Sequence, residues 1–575
     1  MSDTVGTFGT IDYVVFGCMF GVSVLIGIYH AFAGGKQKTT KEFLLADRNM
    51  NPIPVAVSLV ASFISAITVL GTPAEMYNYG TMHWWSALTF VFAGLLVARF
   101  TMPIFFRFEM TSANEYLELR FNKAARFCAV LAFMFQMFLY MGIVIYAPAL
   151  ALNQVTGINL WGSVLATVLV CTFYTTIGGM KAVLWTDVFQ MFIMISGLLA
   201  VIIEGCRRLG GMDVMWKLCE EGGRIDFWNF DPDPTIRHTF WTIVIGGTLE
   251  WCYTYGVNQA QVQRYLACGT QKKARVALFL GMCGMVTVLS LACLSGLTMY
   301  AYYKDCDPLS LGKVSNSDQL IAYFTLDLFR DFPGLPGLFT SAVFSGALST
   351  VSSGLNALAA VTTEDFVKSI WKNLSENRMT WISKGVVLLY GLFAIFLTYV
   401  VSLLGGSVLT ITISLFGMIG GPLLGIFSLG MFFPWANWKG AVSGIICGLT
   451  FTCWIGIGGI IWPPTHYKPP LTTDGCDFNM TTAAMTTIVQ GTQIMTTPEP
   501  WPAVTKLYTV SYRYYPVIGW CTCIFIGLIV SFLTGPTKPR DVDPKLFISV
   551  AAYLNLARSY SDAGFQDMRT WRPTR

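Results

Sequence analysis

The chain has 575 residues, of which 54% are apolar or aromatic and only 12% are charged. A soluble domain of average composition carries about 25% charged residues, so this chain has too few charges to cover a water-exposed surface. Composition therefore indicates a polytopic membrane protein and excludes a soluble enzyme or a nucleic-acid-binding protein. The net charge of +5 does not indicate a polyanionic partner, because in a membrane protein the side on which charges lie matters more than their sum.

The cysteines and histidines give no sign of a metal or redox centre. Fifteen cysteines are too sparse for a disulfide scaffold, no Cys-x-x-Cys pair occurs, and the four histidines lie far apart. The amino-terminal stretch MSDTVGTFGTIDY lacks the basic residues that open a secretory signal peptide. We therefore expect no cofactor and no metal centre, and a first apolar run that stays in the membrane.

A helix needs about 20 consecutive apolar residues to cross the hydrocarbon layer of a bilayer. Thirteen runs meet that requirement, and several contain Gly or Pro, which membrane helices tolerate when neighbouring groups satisfy the backbone. The predicted fold is an all-α polytopic membrane protein with about thirteen transmembrane helices within residues 12–535. The predicted spans are 12–33, 52–78, 83–106, 127–152, 159–178, 184–204, 240–262, 276–303, 336–363, 382–402, 407–432, 440–462 and 516–535.

The distribution of Lys and Arg among the short connections predicts which side of the membrane each loop occupies. Short connections on one side carry eighteen Lys and Arg residues, and those on the other side carry none. Since positively charged loops stay in the cytoplasm, residues 1–11 are predicted to be extracellular and the tail 536–575 to be cytoplasmic. The same assignment places three long polar loops outside: 205–239, 304–335 and 463–515.

The long loops carry two features that suit an extracellular location. Asn479, in the triplet NMT, is an acceptor for N-glycosylation that is usable only on the lumenal side. Disulfides also persist outside the cell. Four cysteines lie in these loops: Cys206, Cys219, Cys306 and Cys476. A bridge between Cys306 and Cys476 is one candidate, but the sequence alone does not determine the connectivity.

Two spans carry polar residues, glycine or proline where an uninterrupted membrane helix would not. The second span has four hydroxyl side chains followed by Gly71 and Pro73, and the seventh has a Gly-Gly pair followed by Glu250 and Asn258. Paired broken helices at corresponding places in two halves are typical of the central site of a secondary transporter. Glycine-mediated close packing explains either span alone equally well. Their separation by five spans favours two five-helix halves of opposite orientation, spans 2–6 and 7–11.

The ninth span is crowded with hydroxyl side chains separated by small residues. Ser345, Ser349, Ser352 and Asn356 recur every three or four residues, so they share one face of the helix. Hydroxyl and carbonyl oxygens are the ligands that a dehydrated Na⁺ requires. A packing seam is the commoner cause of such a pattern, because Ser and Thr hydrogen-bond across membrane helices. From the pattern alone, packing is the favoured interpretation.

Two acidic residues lie in or beside predicted spans, where an ionisable group is a candidate functional residue. Asp187 stands at the mouth of the sixth span with Gln190 one turn further on, and a simple pairing with Lys181 would explain it equally well. Glu250 lies deeper, in the seventh span. It is either a cation partner or a protonated structural carboxyl.

Four stretches carry a family resemblance: ASFISAITVLGTPAEMYNYG, LYMGIVIYAPALALNQVTG, TTIGGMKAVLWTDVFQ and SGALSTVSSGLNALAAVTTEDF. They resemble the sodium/solute symporter family, most closely its animal branch that carries iodide, multivitamins and monocarboxylates. The resemblance extends over residues 10–535. It implies thirteen spans around a five-plus-five inverted repeat, with solute uptake driven by the inward Na⁺ gradient and no enzymatic activity.

The resemblance also implies two cation sites and one substrate cavity. The first Na⁺ site would use backbone carbonyls of the second span and ligands from the ninth: Ala61, Ile64, Gly346, Ser349 and Thr350. Gly346 stands where some relatives have Ala, which is harmless if the ligand is its carbonyl. The second cation region would comprise Ser62, Ser65, Asp187, Gln190 and Gln259. The substrate cavity would be lined by Thr68, Ser86, Tyr140, Trp251 and Phe416.

Thr68 is the residue that most favours one substrate class. The iodide carriers of this branch have Gln at this position, whereas the monocarboxylate carriers resemble this chain. A hydroxyl suits a carboxylate, half-helix amino termini would favour an anion, and Tyr140 and Trp251 would cover a short alkyl or aryl body. We therefore predict electrogenic Na⁺ symport of a monocarboxylate such as lactate, pyruvate, butyrate or nicotinate across the plasma membrane.

Other functions stay open at this stage. Biotin or pantothenate is the second choice of substrate, and iodide is the third. A transporter-shaped sensor of Na⁺ or solute, or a channel, is the alternative of a different class, although every matched cation position carries a competent ligand. A membrane enzyme is disfavoured because no nucleophile–base pair, metal set or phosphate-binding loop occurs. The sequence predicts no oligomeric state.

Overall fold

The computed structural model describes residues 8–32, 39–371, 373–403, 407–464, 467–476 and 503–548. Within these ranges the chain is helical, with connecting turns and loops and no β-strand, which confirms the all-α fold class. Asn479 and the tail beyond residue 548 lie outside the described residues, so the predicted glycosylation acceptor stays a prediction.

Ten helices in the described ranges are long and apolar enough to cross a membrane, and one bent pair adds an eleventh. The ten are Thr10–Phe32, Thr81–Arg107, Lys123–Asn153, Leu160–Leu209, Gln271–Tyr302, Leu335–Ile370, Glu376–Ser402, Val408–Phe432, Trp438–Ile461 and Tyr512–Leu533. The bent pair, Pro52–Ala61 and Ala66–Tyr79, turns by 56° at its break and is called the first broken span.

The predicted count of thirteen spans is not confirmed, and two segments account for the difference. The helix Leu160–Leu209 has 50 residues and would measure about 75 Å if straight, more than twice the hydrocarbon thickness. Gly179 interrupts it with φ 55° and ψ −155°, between the predicted fifth and sixth spans. The predicted seventh span forms three short helices, called the second broken span: Thr242–Gly246, Gly247–Gly256 and Gln259–Leu266. The number thirteen stays a prediction.

The first broken span begins and restarts at residues that cap helices. Asn51 caps its first half by accepting a hydrogen bond from the Ile53 amide. Ser65 caps the second half by accepting a hydrogen bond from the Ile67 amide. The break between Ala61 and Ser65 leaves helix-end carbonyl and amide groups in the middle of the bundle, where they are available to ligands.

The second broken span lies directly beside the first. Its second half is capped by Asn258, whose side chain accepts a hydrogen bond from the Ala260 amide at 3.0 Å. The Tyr255 hydroxyl and the Gln261 amide both donate to the Leu59 carbonyl of the first broken span, each at 3.1 Å. The two interruptions therefore meet at one level of the bundle.

The helix Leu335–Val361, called the serine-rich helix, is buried along almost its whole length. Small residues allow neighbouring helices to approach it closely. A Cβ atom on Gly337 would lie 2.6 Å from the Cα of Asp12, and one on Gly197 would lie 2.6 Å from the Cβ of Ala342. The packing seam favoured by the sequence pattern is thus present, and it holds this helix at the centre of the molecule.

Shorter helices cover the ends of the bundle: Thr40–Leu45, Ala46–Arg48, Glu115–Arg120, Met212–Glu221, Ser317–Gln319, Leu320–Leu328, Ala503–Thr509, Tyr512–Tyr514, Pro539–Asp541 and Pro544–Leu546. The end that carries loops 205–239 and 304–335 is called the long-loop end. There Cys306 and Cys476 form a disulfide with their Cα atoms 5.0 Å apart, whereas Cys206 and Cys219 are free and buried.

Candidate functional site

The serine-rich helix contacts the break of the first broken span at the first predicted cation site. The Ser349 hydroxyl donates to the Ala61 carbonyl at 2.6 Å and lies 3.3 Å from the Gly346 carbonyl. The Thr350 hydroxyl donates to the same Gly346 carbonyl at 3.0 Å. Ile64 is buried and lines the adjoining cavity. Carbonyl and hydroxyl oxygens of two separate helices thus converge, which is the chemistry that transporter Na⁺ sites use.

Gly346 also allows close packing between the serine-rich helix and the first broken span. A Cβ atom at this position would lie 2.6 Å from the Ala66 nitrogen and 2.8 Å from the Ser65 carbonyl carbon, closer than real Cβ contacts. Gly346 still offers its backbone carbonyl, as the sequence interpretation expects, whereas a Cβ at this position would require the two helices to move apart. The missing side chain lets the serine-rich helix lie directly against the backbone where the first broken span restarts.

Asp187 is fully buried and bonded to the first broken span, not to Lys181. Its Oδ2 atom accepts a hydrogen bond of 2.5 Å from the Ser58 hydroxyl and lies 3.5 Å from Arg264 Nη2. Lys181 pairs with a different carboxylate. The Arg264 guanidinium also donates to Ser58 at 2.8 Å and to the hydroxyl of Ser353. One guanidinium therefore joins three helices.

Arg264 is a residue that sequence reasoning misplaces. The predicted seventh span ends at residue 262, which puts Arg264 among the charges of a short loop, but the helix continues to Leu266 and buries Arg264 completely. A buried guanidinium needs a compensating carboxylate, which Asp187 supplies. The available signal was the helix-capping residue Asn258, which is followed by residues 259–268 without Gly or Pro.

The other members of the predicted second cation set are not hydrogen-bonded to Asp187 within the described residues. Ser62 donates to a carbonyl of its own helix at 2.5 Å, and Ser65 serves as a helix cap. Gln190 Oε1 has no hydrogen-bond partner among the described residues. Gln259 exchanges hydrogen bonds of 2.8 and 2.9 Å with the backbone of residues 111–113. The structure thus does not join Gln259 to Asp187 by a hydrogen bond within the described chain.

All five residues of the predicted substrate set line one small cavity, whose volume of about 90 Å³ is below that of an ordinary ligand pocket. They are Thr68, Ser86, Tyr140, Trp251 and Phe416. The cavity lies between the two broken spans and the helix Val408–Phe432. It also reaches Ser65, the residue at which the first broken span restarts.

Aromatic rings form much of the cavity wall. Tyr140 packs edge-on against Phe416, with ring centroids 4.8 Å apart, and parallel to Phe63 at 5.9 Å. Trp251 packs edge-on against Phe90 at 4.8 Å. The Tyr140 side chain lies near Ser65, which also lines the cavity, and near Thr350. Tyr140 therefore connects the cavity with the oxygens around Ser349.

One end of the cavity is charged, and sequence reasoning finds only half of this feature. Arg513 and Glu250 both line the cavity, with Arg513 Nη1 3.6 Å from Glu250 Oε2. His83 lies on the same wall, and its Nδ1 atom accepts a hydrogen bond of 2.9 Å from Arg513 Nη2. The sequence marks Glu250 as a candidate but assigns Arg513 to a long loop. The signal for Arg513 was its place immediately before the last apolar run, between two tyrosines.

A second ion pair lies beside the cavity, toward the long-loop end. Arg237 binds both carboxylate oxygens of Glu75, at 2.7 and 3.0 Å, and donates to the Thr410 hydroxyl at 2.9 Å. Glu75 follows the cavity-lining Thr72 by one helical turn, and Thr410 follows the cavity-lining Leu409 directly. This bridge therefore ties the first broken span to the helix Val408–Phe432 at the rim of the cavity.

Comparison with known proteins agrees with this geometry. A family model described as the sodium:solute symporter family matches residues 43–448. The chain is 50% identical over 565 residues to sodium-coupled monocarboxylate transporter 1 of Xenopus laevis, with 96% of this chain and 90% of the relative covered. It is 45% identical over 548 residues to the sodium-dependent multivitamin transporter of Oryctolagus cuniculus, with 95% and 85% covered.

The fold also matches a solved structure. A Na⁺-coupled sialic acid symporter in a substrate-bound outward-open state superposes with a TM-score of 0.74 at 24% identity, covering 92% of this chain and all of the other. That likeness supports the fold class, and the named relatives are transporters. The chain therefore belongs to the sodium:solute symporter family and is a transporter rather than an enzyme.

Proposed function

We propose that this protein imports small organic monocarboxylates together with Na⁺, with lactate, pyruvate, butyrate and nicotinate as representative substrates. The observation that carries the proposal is the convergence of Thr68, Tyr140 and Trp251 on one aromatic-walled cavity beside the Ser349 contact. Relatives named sodium-coupled monocarboxylate transporter, at 50% identity in Xenopus laevis and 46% in Homo sapiens, support the same substrate class.

The first Na⁺ binds where the serine-rich helix meets the first broken span. Its ligands are carbonyl oxygens and hydroxyls of Ala61, Ile64, Gly346, Ser349 and Thr350. The Ser349 hydroxyl donates to Ala61 without the ion, so it must turn its hydrogen away to offer a lone pair to Na⁺. The bound ion then joins two helices that also border the cavity, and raises affinity for the anion. By linkage, the anion raises Na⁺ affinity by the same factor.

A second cation position involves Asp187 and Gln190, with Ser62 and Ser65 of the first broken span. Asp187 Oδ1 and Gln190 Oε1 are buried oxygens without hydrogen-bond partners among the described residues, and the two side chains lie one helical turn apart. Arg264 neutralises part of the charge on Asp187, which lowers the attraction for a cation. Gln259 is the weakest member, since both ends of its amide bind the 111–113 backbone.

Two or more Na⁺ ions per monovalent anion would make the cycle electrogenic. Each elementary charge moved through about 100 mV contributes about 2.3 kcal/mol. The proposed location is the plasma membrane, with the amino terminus and the long-loop end outside and the tail 536–575 inside. The absence of Lys and Arg from the short connections on that side supports this orientation.

The second candidate is transport of biotin or pantothenate. It is favoured by the 45% identity to a sodium-dependent multivitamin transporter over 95% of this chain. These vitamins also carry one carboxylate, so the same recognition chemistry would serve them. Iodide is a third candidate, and a Na⁺ or solute sensor or a channel is the candidate of another class.

The test is uptake and current in oocytes expressing the protein. A panel of lactate, nicotinate, biotin, pantothenate and iodide is supplied in Na⁺ medium and in choline medium. We expect Na⁺-dependent accumulation of lactate and nicotinate against their gradients, with an inward current. Equal uptake in choline would contradict symport, and current without accumulation would indicate a channel. Preference for biotin or iodide would replace the proposed substrate class.

A further inference from the structure

Arg513 reaches the cavity from outside the two predicted five-helix halves. It belongs to the short helix Tyr512–Tyr514, the first turn of the last membrane span Tyr512–Leu533. Ser511 fixes this segment, because its amide donates to the Pro234 carbonyl at 2.8 Å and its hydroxyl donates to the Arg237 carbonyl at 2.9 Å. Gly246 has no side chain where the Arg513 carbonyl approaches, and a Cβ there would lie 1.8 Å from that oxygen. The backbone of Arg513 is therefore held in place.

The side chain of Arg513 is only 3% exposed, yet it has few partners. It hydrogen-bonds to His83 and contacts Tyr512, and its Nε atom has no hydrogen-bond partner within the described residues. Its distance of 3.6 Å from Glu250 is longer than a normal hydrogen bond, and Glu250 Oε2 also lacks a hydrogen-bond partner in that part of the chain. The guanidinium thus keeps an unused N–H donor at Nε, and its contact with Glu250 is loose enough for a ligand to compete with it.

The other fully buried arginines differ from Arg513 in this respect. Arg120 and Arg224 each donate to four backbone carbonyls. Arg264 binds two hydroxyls, one carbonyl and a carboxylate. These three serve to hold the structure together. Of the four, Arg513 alone lines the aromatic-walled cavity, and it alone has a buried donor nitrogen, Nε, without a hydrogen-bond partner in the described part of the chain.

We propose that Arg513 anchors the carboxylate of the transported substrate. The proposal rests on the proposed function and names the group that recognises the anion within the same cavity. A guanidinium presents N–H donors in a planar fork that matches the two oxygens of a carboxylate, and such paired bonds are strong away from water. The aromatic wall of Tyr140 and Trp251 then covers the apolar body of the substrate.

Glu250 and His83 set the strength of this anchor. Glu250 balances the charge of Arg513 while the cavity holds no anion, and the incoming carboxylate competes with it for the guanidinium. His83 accepts a hydrogen bond at Nδ1, so that nitrogen carries no proton, and it orients the fork toward the cavity. Removing the negative charge of Glu250 should therefore strengthen anion binding, whereas changing Arg513 should weaken it.

The test compares inhibition by an acid with inhibition by its amide. The ratio of the two inhibition constants does not depend on how much protein reaches the membrane. Nicotinate and nicotinamide compete with a labelled monocarboxylate in oocytes expressing wild type, Arg513→Lys, Arg513→Gln or Glu250→Gln. We expect the preference for the acid to fall at least about tenfold in both Arg513 variants, about 1.4 kcal/mol. At a monocarboxylate concentration that saturates each variant, the Na⁺ half-saturation should not change. Arg208→Gln, an arginine of an exposed ion pair outside the cavity, should keep the wild-type ratio.

Each outcome decides the proposal. A preference within twofold of wild type in both Arg513 variants would overturn it, while the proposed function would stand. If the Arg513 variants do not reach the surface, Glu250→Gln decides, because tighter inhibition by nicotinate supports the anchor and unchanged inhibition overturns it. If wild type shows no carboxylate uptake, the proposed function fails. Thermal stabilisation of the purified protein in Na⁺ by nicotinate, but not by nicotinamide, then still supports the anchor, and no stabilisation overturns it.

Discussion

Ser349 and Ala61 are separated by 288 residues in sequence, yet the Ser349 hydroxyl lies 2.6 Å from the Ala61 carbonyl. This bond joins the serine-rich helix to the break of the first broken span. Na⁺ would take the place of this hydrogen bond, because it can bind both oxygens once the hydroxyl hydrogen has turned away. The serine-rich helix is thus both a packing seam and the proposed sensor of the ion.

Ser349→Ala removes a hydroxyl ligand and keeps the helix backbone. We expect the Na⁺ concentration for half-maximal transport to rise by about tenfold, since a ligand bond to a charged group contributes roughly 1.5–3 kcal/mol. The measurement is Na⁺-dependent uptake at saturating substrate. Ser341→Ala is the matched control, because Ser341 on the same helix bonds only within it, at 2.8 Å to Gly337. An unchanged Na⁺ requirement in Ser349→Ala would remove that side chain from the site.

Gly346→Ala places a methyl group against the backbone of Ala66 and Ser65. Overpacking of this kind costs about 1–3 kcal/mol. We expect a lower thermal unfolding midpoint of the purified protein and loss of Na⁺ coupling. Gly385→Ala is the control, since a Cβ there meets nothing within 4 Å. A Gly346→Ala protein with normal stability and normal Na⁺ dependence would show that the helices separate freely at this contact.

Arg264→Met leaves Asp187 buried without its counter-charge. We expect a loss of about 3–5 kcal/mol of stability, because the remaining carboxylate cannot be hydrated. The double variant Arg264→Met with Asp187→Asn should recover part of that loss, measured by thermal unfolding in detergent. Lys181→Met, which breaks the partly exposed pair with Glu42 at 3.6 Å, should change stability by less than about 1 kcal/mol. If Arg264→Met and Lys181→Met lowered stability equally, the result would contradict a buried structural role for Arg264.

Arg237→Gln breaks the bidentate contact with Glu75 at the cavity rim. The reporter is the thiol of Thr72→Cys, with and without Arg237→Gln. We expect this thiol to react with a polar reagent about tenfold faster when Arg237 is changed, which corresponds to about 1.4 kcal/mol in the free energy of opening the cavity. The reagent is added from outside to cells. Lys304→Gln breaks an exposed pair with Glu221 at the same end and should leave the rate unchanged. A rate insensitive to Arg237 would mean that other contacts close the cavity.

Much of the architecture is readable from local sequence. Apolar runs of membrane length predict the spans, and polar residues with glycine or proline locate both broken spans before any contact is known. The count of thirteen stays a prediction, because the structure divides the second broken span into short helices and the helix Leu160–Leu209 extends through two predicted spans. The family resemblance predicts one substrate cavity, and the structure places five residues around it, although positions in a sequence alone give no distances between them. They are Thr68, Ser86, Tyr140, Trp251 and Phe416.

By itself, the sequence determined the membrane class, the helical fold and the two interrupted spans, because hydrophobicity and capping act within a few turns of chain. Only the tertiary structure decided which charges are buried. Arg264 and Arg513 read as loop charges beside apolar runs, but one pairs with Asp187, 77 residues away, and the other lines the cavity. In a low dielectric, a buried charge destabilises the fold unless an opposite charge or a hydrogen bond compensates it. Packing between distant helices determines which group lies close enough to do so.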